Sequence, residues 1–306
     1  MESYLIAVAT MVLIYALLAI GLNLQYGETG LINFGHVAFF ALGAYTSGLL
    51  SIKGWPWPLT FALAAGVAAL SALPLGLAAL RLREDYLAIV TLGFSETVRI
   101  VLQEERQWTN GVQGVPGIPK LYASWGGSVS GPALMLTLLA AVGLAALATH
   151  ALKSSPFGRL LRAIRDNEEA VVALGKDPAR YKIQVFMFGA ALAGVAGAFY
   201  AHFLTFISPE QFVPLVTFYV WMGLILGGVG SLRGALGGTL LLVAFLEGSR
   251  FLRDLLPGVA EVQMASVRLA VVGLAIILFV LYRPQGLFGA AGDSSMSKRP
   301  GRRGSP

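Results

Sequence analysis

The sequence predicts an all-α integral membrane protein, a polytopic helical bundle of about 8–9 transmembrane or partly broken helices. Three observations carry that reading. The chain of 306 residues is 56% hydrophobic and only 12% charged, with a mean hydropathy of +0.73, whereas a soluble domain carries roughly 25% charge. Its apolar residues gather into repeated runs near the length of about 20 residues that a bilayer core demands of a helix. The Lys and Arg residues concentrate in alternate connections between those runs.

Taken in order, the runs lie near 4–22, 30–51, 58–80, 86–102, 131–152, 183–205, 213–231, 234–249 and 264–282. The first begins Met1-Glu2-Ser3-Tyr4, lacks a basic leader and continues too far for a secretory signal, so it reads as a retained span. The second, seventh and eighth are interrupted by glycine, and the fourth carries Glu96 and Arg99. Residues 1–289 thus form one integral domain, followed at 290–306 by a Gly-, Ser-, Pro- and Arg-rich tail that reads as a disordered basic extension.

Orientation follows from the basic residues. Arg81, Arg83, Lys153, Arg159, Arg162, Arg165, Lys176, Arg180, Lys182, Arg233, Arg283, Lys298, Arg299, Arg302 and Arg303 fall on one side of a nine-span arrangement. Lys53, Arg106, Lys120, Arg250, Arg253 and Arg268 fall on the other, a division of 15 against 6. The richer side faces the cytoplasm, which puts the N-terminus outside and the C-terminus inside. That bias also accounts for the net charge of +6, since no nucleic-acid-binding motif accompanies it. The absence of cysteine excludes disulfides, thiol catalysis and cysteine-metal sites. His36, His150 and His202 have no metal-ligand spacing, and no Ser-His-Asp pattern stands out.

Between Ser155 and Tyr181 runs SPFGRLLRAIRDNEEAVVALGKDPARY, a dense polar segment inside the 153–182 connection. Ser155-Pro156 is a helix start, with Phe157, Leu160, Leu161 and Ile164 in helical spacing and Arg159, Arg162 and Arg165 on other faces. Asp166 with Glu169 three residues later suggests a capping box that opens a second short helix, stopped by Gly175. The residues alone allow two readings of this elbow: a docking element for a partner, or an amphipathic connector lying at the membrane surface.

Other features divide in the same way. Asn33 and His36 sit in a glycine-bounded span just after Glu28, and broken helices often line substrate paths; a buried His is also an ordinary structural residue. Glu96 is a third path candidate, although Arg99 three positions on can neutralise it on one helix face. Leu226–Gly238 is glycine-rich but lacks the Gly-Lys-Ser/Thr ending of a phosphate loop. Gly230, Gly234 and Gly238 are four apart, the spacing of a close helix crossing that should accept a methyl group but not a branched side chain. In the 103–130 connection, Trp108, Pro116, Pro119 and Trp125 fit an interfacial anchor or a contact for a delivered partner.

The elbow resembles the cytoplasmic coupling loop of ABC importer permeases, in which Glu-Ala-Ala is followed after three residues by Gly. Here Glu169, Ala170 and Gly175 keep the spacing, Val171 departs from it, and an Ile-x-Leu-Pro ending is missing. The full string is similar to that of the branched-chain amino-acid permeases of LivM type, in the LivM/LivH family. The resemblance continues in family order through GLINFGHVAFFALGAY (30–45), DYLAIVTLGF (85–94), TNGVQGVPGIP (109–119), AALAGVAGAFYAHFLTFISPEQF (190–212), LGGVGSLRGALGG (226–238) and YRPQGLFG (282–289). Ile32-Asn33-Phe34 is closer to the sister H-type subunit.

The resemblance implies a non-enzymatic permease subunit in a bacterial inner membrane. It implies two ABC ATPase subunits that bind ATP and Mg, a paralogous permease subunit and a periplasmic substrate-binding protein as partners, with no cofactor in this chain. It implies ATP-driven import of branched-chain amino acids by alternating access, with Arg159, Arg162, Arg165, Glu169, Ala170 and Gly175 in the coupling loop. Permeases for urea, short-chain amides or another amino acid share the same pattern. A stand-alone channel or ion-coupled carrier is the alternative of another class.

Overall fold

A computed structural model of the chain describes residues 2–79, 84–123 and 126–255, together with 270, 271, 273, 274, 277, 281, 282 and 286–288. The tail at 290–306, Arg81, Arg83, Trp125 and most of the expected span at 264–282 lie outside the described residues.

The first helix, α1 (Glu2–Thr29), is longer than hydropathy indicates. The apolar run ends near Leu22, but Asn23 and Gln25 are fully buried and keep their place in the helix by bonding to other parts of the chain. A non-helical stretch at 30–35 separates it from α2 (His36–Ile52), so the second expected span is a 17-residue helix preceded by a break. The third expected span is two helices, α3 (Trp57–Ser71) and α4 (Leu73–Ala79). Pro56 and Pro58 suit the start of α3, where a missing N–H costs nothing. Despite its charges, α5 (Glu84–Glu104) is continuous.

A short α6 (Arg106–Thr109) follows, and then the strand β1 (Val115–Pro116), before α7 (Gly127–Ser154) returns across the bundle. The elbow is α8 (Pro156–Asp166) and α9 (Glu168–Ala173). It leads into α10 (Pro178–Leu204), the strand β2 (Phe206–Ile207), α11 (Pro214–Gly227) and α12 (Leu232–Leu255). Among the described residues, six stretches are long and apolar enough to cross a membrane: Tyr4–Thr29, Trp57–Leu77, Tyr86–Glu104, Val129–Ser154, Pro178–Leu204 and Pro209–Gly227. The helix at His36–Ile52 is apolar but shorter. This is an all-α, polytopic membrane protein.

Burial separates the middle of the bundle from its rim. In α10, which packs on α1, α2 and α3, 56% of the spanning window is buried, against 22% in α7, so α10 is central and α7 peripheral. The core joins Leu17, Ile20, Phe39, Phe40, Phe186 and Phe212 in one apolar cluster.

The glycines near the C-terminal helices differ from the spacing argument. A side-chain carbon placed on Gly234 would lie 2.3 Å from the Gly228 carbonyl oxygen, and one on Gly238 would lie 2.0 Å from that of Gly223. Backbones of α11 and α12 therefore touch directly, and even the methyl group of Ala is excluded. Gly230 is different again. It sits in the turn between the two helices at φ +81°, where glycine serves the backbone conformation.

Candidate functional site

The elbow begins as the sequence predicts. Ser155 is the N-cap of α8, its hydroxyl accepting from Gly158 N at 3.4 Å, and Pro156 occupies the first turn. Gly158, Leu161 and Ile164 are its buried residues. The second helix starts one residue later than expected. Asn167, with extended backbone, caps α9 by accepting from Ala170 N at 3.1 Å, whereas Asp166 is still the last helical residue of α8 and pairs with Arg165 at 3.3 Å. An N-cap needs a non-helical backbone, which Asp166 lacks, so no Asp166–Glu169 box forms. Gly175 follows α9 at φ +73°, the left-handed position that ends a helix without side-chain strain.

The three elbow arginines do not share a face. Arg159 is exposed, but Arg162 and Arg165 turn back into the bundle. Arg162 Nη1 donates to Glu28 Oε2 at 3.0 Å, and Arg165 Nη1 donates to the Gly27 carbonyl at 2.6 Å. Lys153, at the end of α7, reaches Glu28 Oε1 at 2.6 Å and also the Gly230 carbonyl. Asn23 completes this end, its Oδ1 accepting from Gly230 N at 2.8 Å. What the elbow leaves outside is α9. Glu168, Glu169 and Ala170 are exposed, as are Val172 at 55% and Leu174 at 80%. Asp166, Asn167, Glu168, Glu169 and Val172 line a shallow open groove there.

One turn deeper lies the break at 30–35. Asn33 Nδ2 donates to Gln25 Oε1 at 2.9 Å and lies 3.4 Å from His36 Nδ1, while Asn33 Oδ1 accepts from Gly35 N at 2.9 Å. Gln25 Nε2 donates to the Phe186 carbonyl of α10 at 2.9 Å. Trp221 Nε1 of α11 donates to the Asn33 carbonyl at 3.0 Å. Thr91 of α5 accepts from Phe34 N at 3.0 Å, and Thr217 of α11 accepts from Val37 N at 2.9 Å. Irregular backbone inside a bundle survives only when its polar groups find partners, and here α1, α5 and α11 supply them.

The structure thus joins Asn33 to His36 and adds Gln25, Thr91, Thr217 and Trp221, to which the sequence pattern assigns no role. Asn23 and Gln25 do leave a signal: two amides where an apolar helix should continue. Glu96 is partnered elsewhere, by Arg99 on its own helix at 2.6 Å.

Residues 4–281 match one family, described as "Branched-chain amino acid transport system / permease component". This chain belongs to that family. The permease is 35% identical over 304 residues to the high-affinity branched-chain amino acid transport system permease protein LivM of Salmonella typhimurium, covering 92% of this chain and 69% of the relative. It is 34% identical to the LivM protein of Escherichia coli over the same shares of the two chains. It is also 29% identical to the LivH permease protein of Salmonella typhimurium, covering 90% of this chain and 91% of the relative. No solved structure matches the permease.

Proposed function

We propose that this permease is the transmembrane subunit of an ATP-driven importer that passes branched-chain and other hydrophobic amino acids from a periplasmic binding protein to the cytoplasm. Two ATPase subunits bind ATP and Mg, and a paralogous permease completes the path. The N-terminus lies outside and the elbow inside, as the excess of basic residues at that end requires. The chain itself performs no hydrolysis. The observation that carries this reading is the two-sided elbow: α8 is fixed to the bundle through Arg162 and Arg165, while α9 leaves Glu169, Val172 and Leu174 exposed. A surface that receives a partner presents apolar residues in this way.

The test is to purify the permease with its ATPases and measure uptake in reconstituted vesicles. Glu169→Lys reverses an exposed charge, and Gly175→Val forces a branched residue into φ +73°, at a cost of roughly 1–2 kcal/mol. Both should release the ATPases more readily and lower uptake, with insertion unchanged. Normal ATPase retention and uptake in both variants would reduce the elbow to a connector. A cysteine at position 167 of this cysteine-free chain should resist impermeant thiol reagent added outside intact cells. Labelling there would reverse the orientation.

A further inference from the structure

At the elbow end, a single carboxylate holds three helices together. Glu28 is only 3% exposed, in the last turn of α1. Its two oxygens meet Lys153 from the end of α7 and Arg162 from the middle of α8. Arg162 Nη1 also lies 3.3 Å from the Lys153 carbonyl, and Arg165 reaches the carbonyl of Gly27, the residue before Glu28. Beside these polar ties, Leu24 of α1, Leu161 of α8 and Val185 of α10 form a small apolar cluster of their own. Displacing α8 along the last turn of α1 would therefore break the Arg162–Glu28 ion pair and the charge-assisted Arg165–Gly27 hydrogen bond at once.

Position gives the cluster its meaning. Gln25 precedes Glu28 by three residues, a rise of about 4.5 Å on the same helix. Gln25 in turn holds Asn33, the centre of the break. A path of direct contacts thus runs from α8 through Glu28 and one turn of α1 to the irregular backbone at 30–35.

We propose that Glu28 is a positioning residue for transport, one that makes α8 and the last turn of α1 a single moving body. Movement imposed on the elbow then reaches the 30–35 break undiminished, and is not absorbed at the α7–α8 corner. This rests on the reading above that ATPases drive the elbow.

The experiment uses the full complex, permease with ATPases and binding protein, in vesicles. Glu28→Gln keeps the shape of the side chain but removes the charge that collects Lys153 and Arg162. The expected result is wild-type retention of ATPases and continued stimulated ATP hydrolysis, with amino-acid uptake per ATP down tenfold or more. Uptake per ATP within twofold of wild type would overturn the proposal. A second variant protects the test should Glu28→Gln fail to assemble. Leu24→Cys with Leu161→Cys, oxidised with diamide in the otherwise unaltered complex, fastens α8 to α1. Uptake should survive that bond, and in the Glu28→Gln background the bond should restore it. Loss of uptake on oxidation of the Glu28-containing pair would mean that the two helices separate during transport, and the proposal would fall. If the unaltered permease bound no ATPases at all, the fault would lie with the importer reading instead.

Discussion

Where Glu28 gathers Lys153 and Arg162 at the elbow end, the opposite end is closed by neutral groups around His202. His202 Nδ1 lies 2.7 Å from the Pro119 carbonyl, which can only accept, so that nitrogen carries the proton and Nε2 accepts. The Ser47 and Ser51 hydroxyls lie 3.0 and 3.3 Å from Nε2, both also within reach of Thr60, and Phe61 stacks on the imidazole ring. Nearby, β1 pairs with β2, and Ile118 N donates to the Thr205 carbonyl at 3.1 Å. The difference is one of reach. Attraction between charges falls slowly with distance, whereas a neutral hydrogen bond is lost beyond about 3.5 Å. The elbow end is therefore held by attractions that salt can weaken. The His202 end is either closed or open.

The largest expected effect comes from removing the carboxylate outright. Glu28→Ala strands two cations, and breaking a buried pair from one side costs about 3–5 kcal/mol. Arg162 is 39% exposed and can reach water, so roughly 2–3 kcal/mol is expected here, seen as a lower unfolding temperature in detergent. At the other end, His202→Ala should cost about 1–2 kcal/mol through its lost hydrogen bonds and should speed amide exchange at 115–121. Salt sharpens the contrast. Raising it about tenfold should quicken exchange in 153–166 through screening and leave 115–121 unchanged; equal responses would dissolve the distinction. The smallest effect belongs to Val171→Ala, on the elbow's apolar underside. Val171 is 3% exposed, so the change opens a small void and should cost roughly 1 kcal/mol, well below Glu28→Ala.

Local rules make much of the elbow legible in the amino-acid string alone. Ser155-Pro156 and Gly175 mark its ends by chemistry acting within three or four residues, and α8 and α9 follow. The expected Asp166 cap misses by one position because Asp and Asn are nearly equal as caps, and only the backbone turn chooses between them. The inward turn of Arg162 and Arg165 is not legible. Their partners lie 134 and 138 residues away, and helical spacing assigns a face without naming its neighbour. The break at 30–35 is visible through its glycines and Asn33. Its anchors, Thr91, Thr217 and Trp221, come from helices whose order in space no local pattern encodes. Hydropathy underestimates α1 for a related reason: it assumes that each residue of a span meets lipid, and Asn23 and Gln25 never do.

The shortness of α2 has a consequence for how the protein sits in its solvent. Seventeen residues rise about 26 Å, a few ångströms less than a hydrocarbon layer of about 30 Å. A lipid-facing helix of that length would pull the bilayer thin or tilt against it. Yet His36, Val37, Phe39, Phe40, Ala44 and Tyr45 are among the α2 residues buried by other helices. The acyl chains hardly meet this helix, and its length is matched to its protein neighbours. Hydrophobic mismatch falls instead on the peripheral α7, whose 28 residues are ample for the crossing.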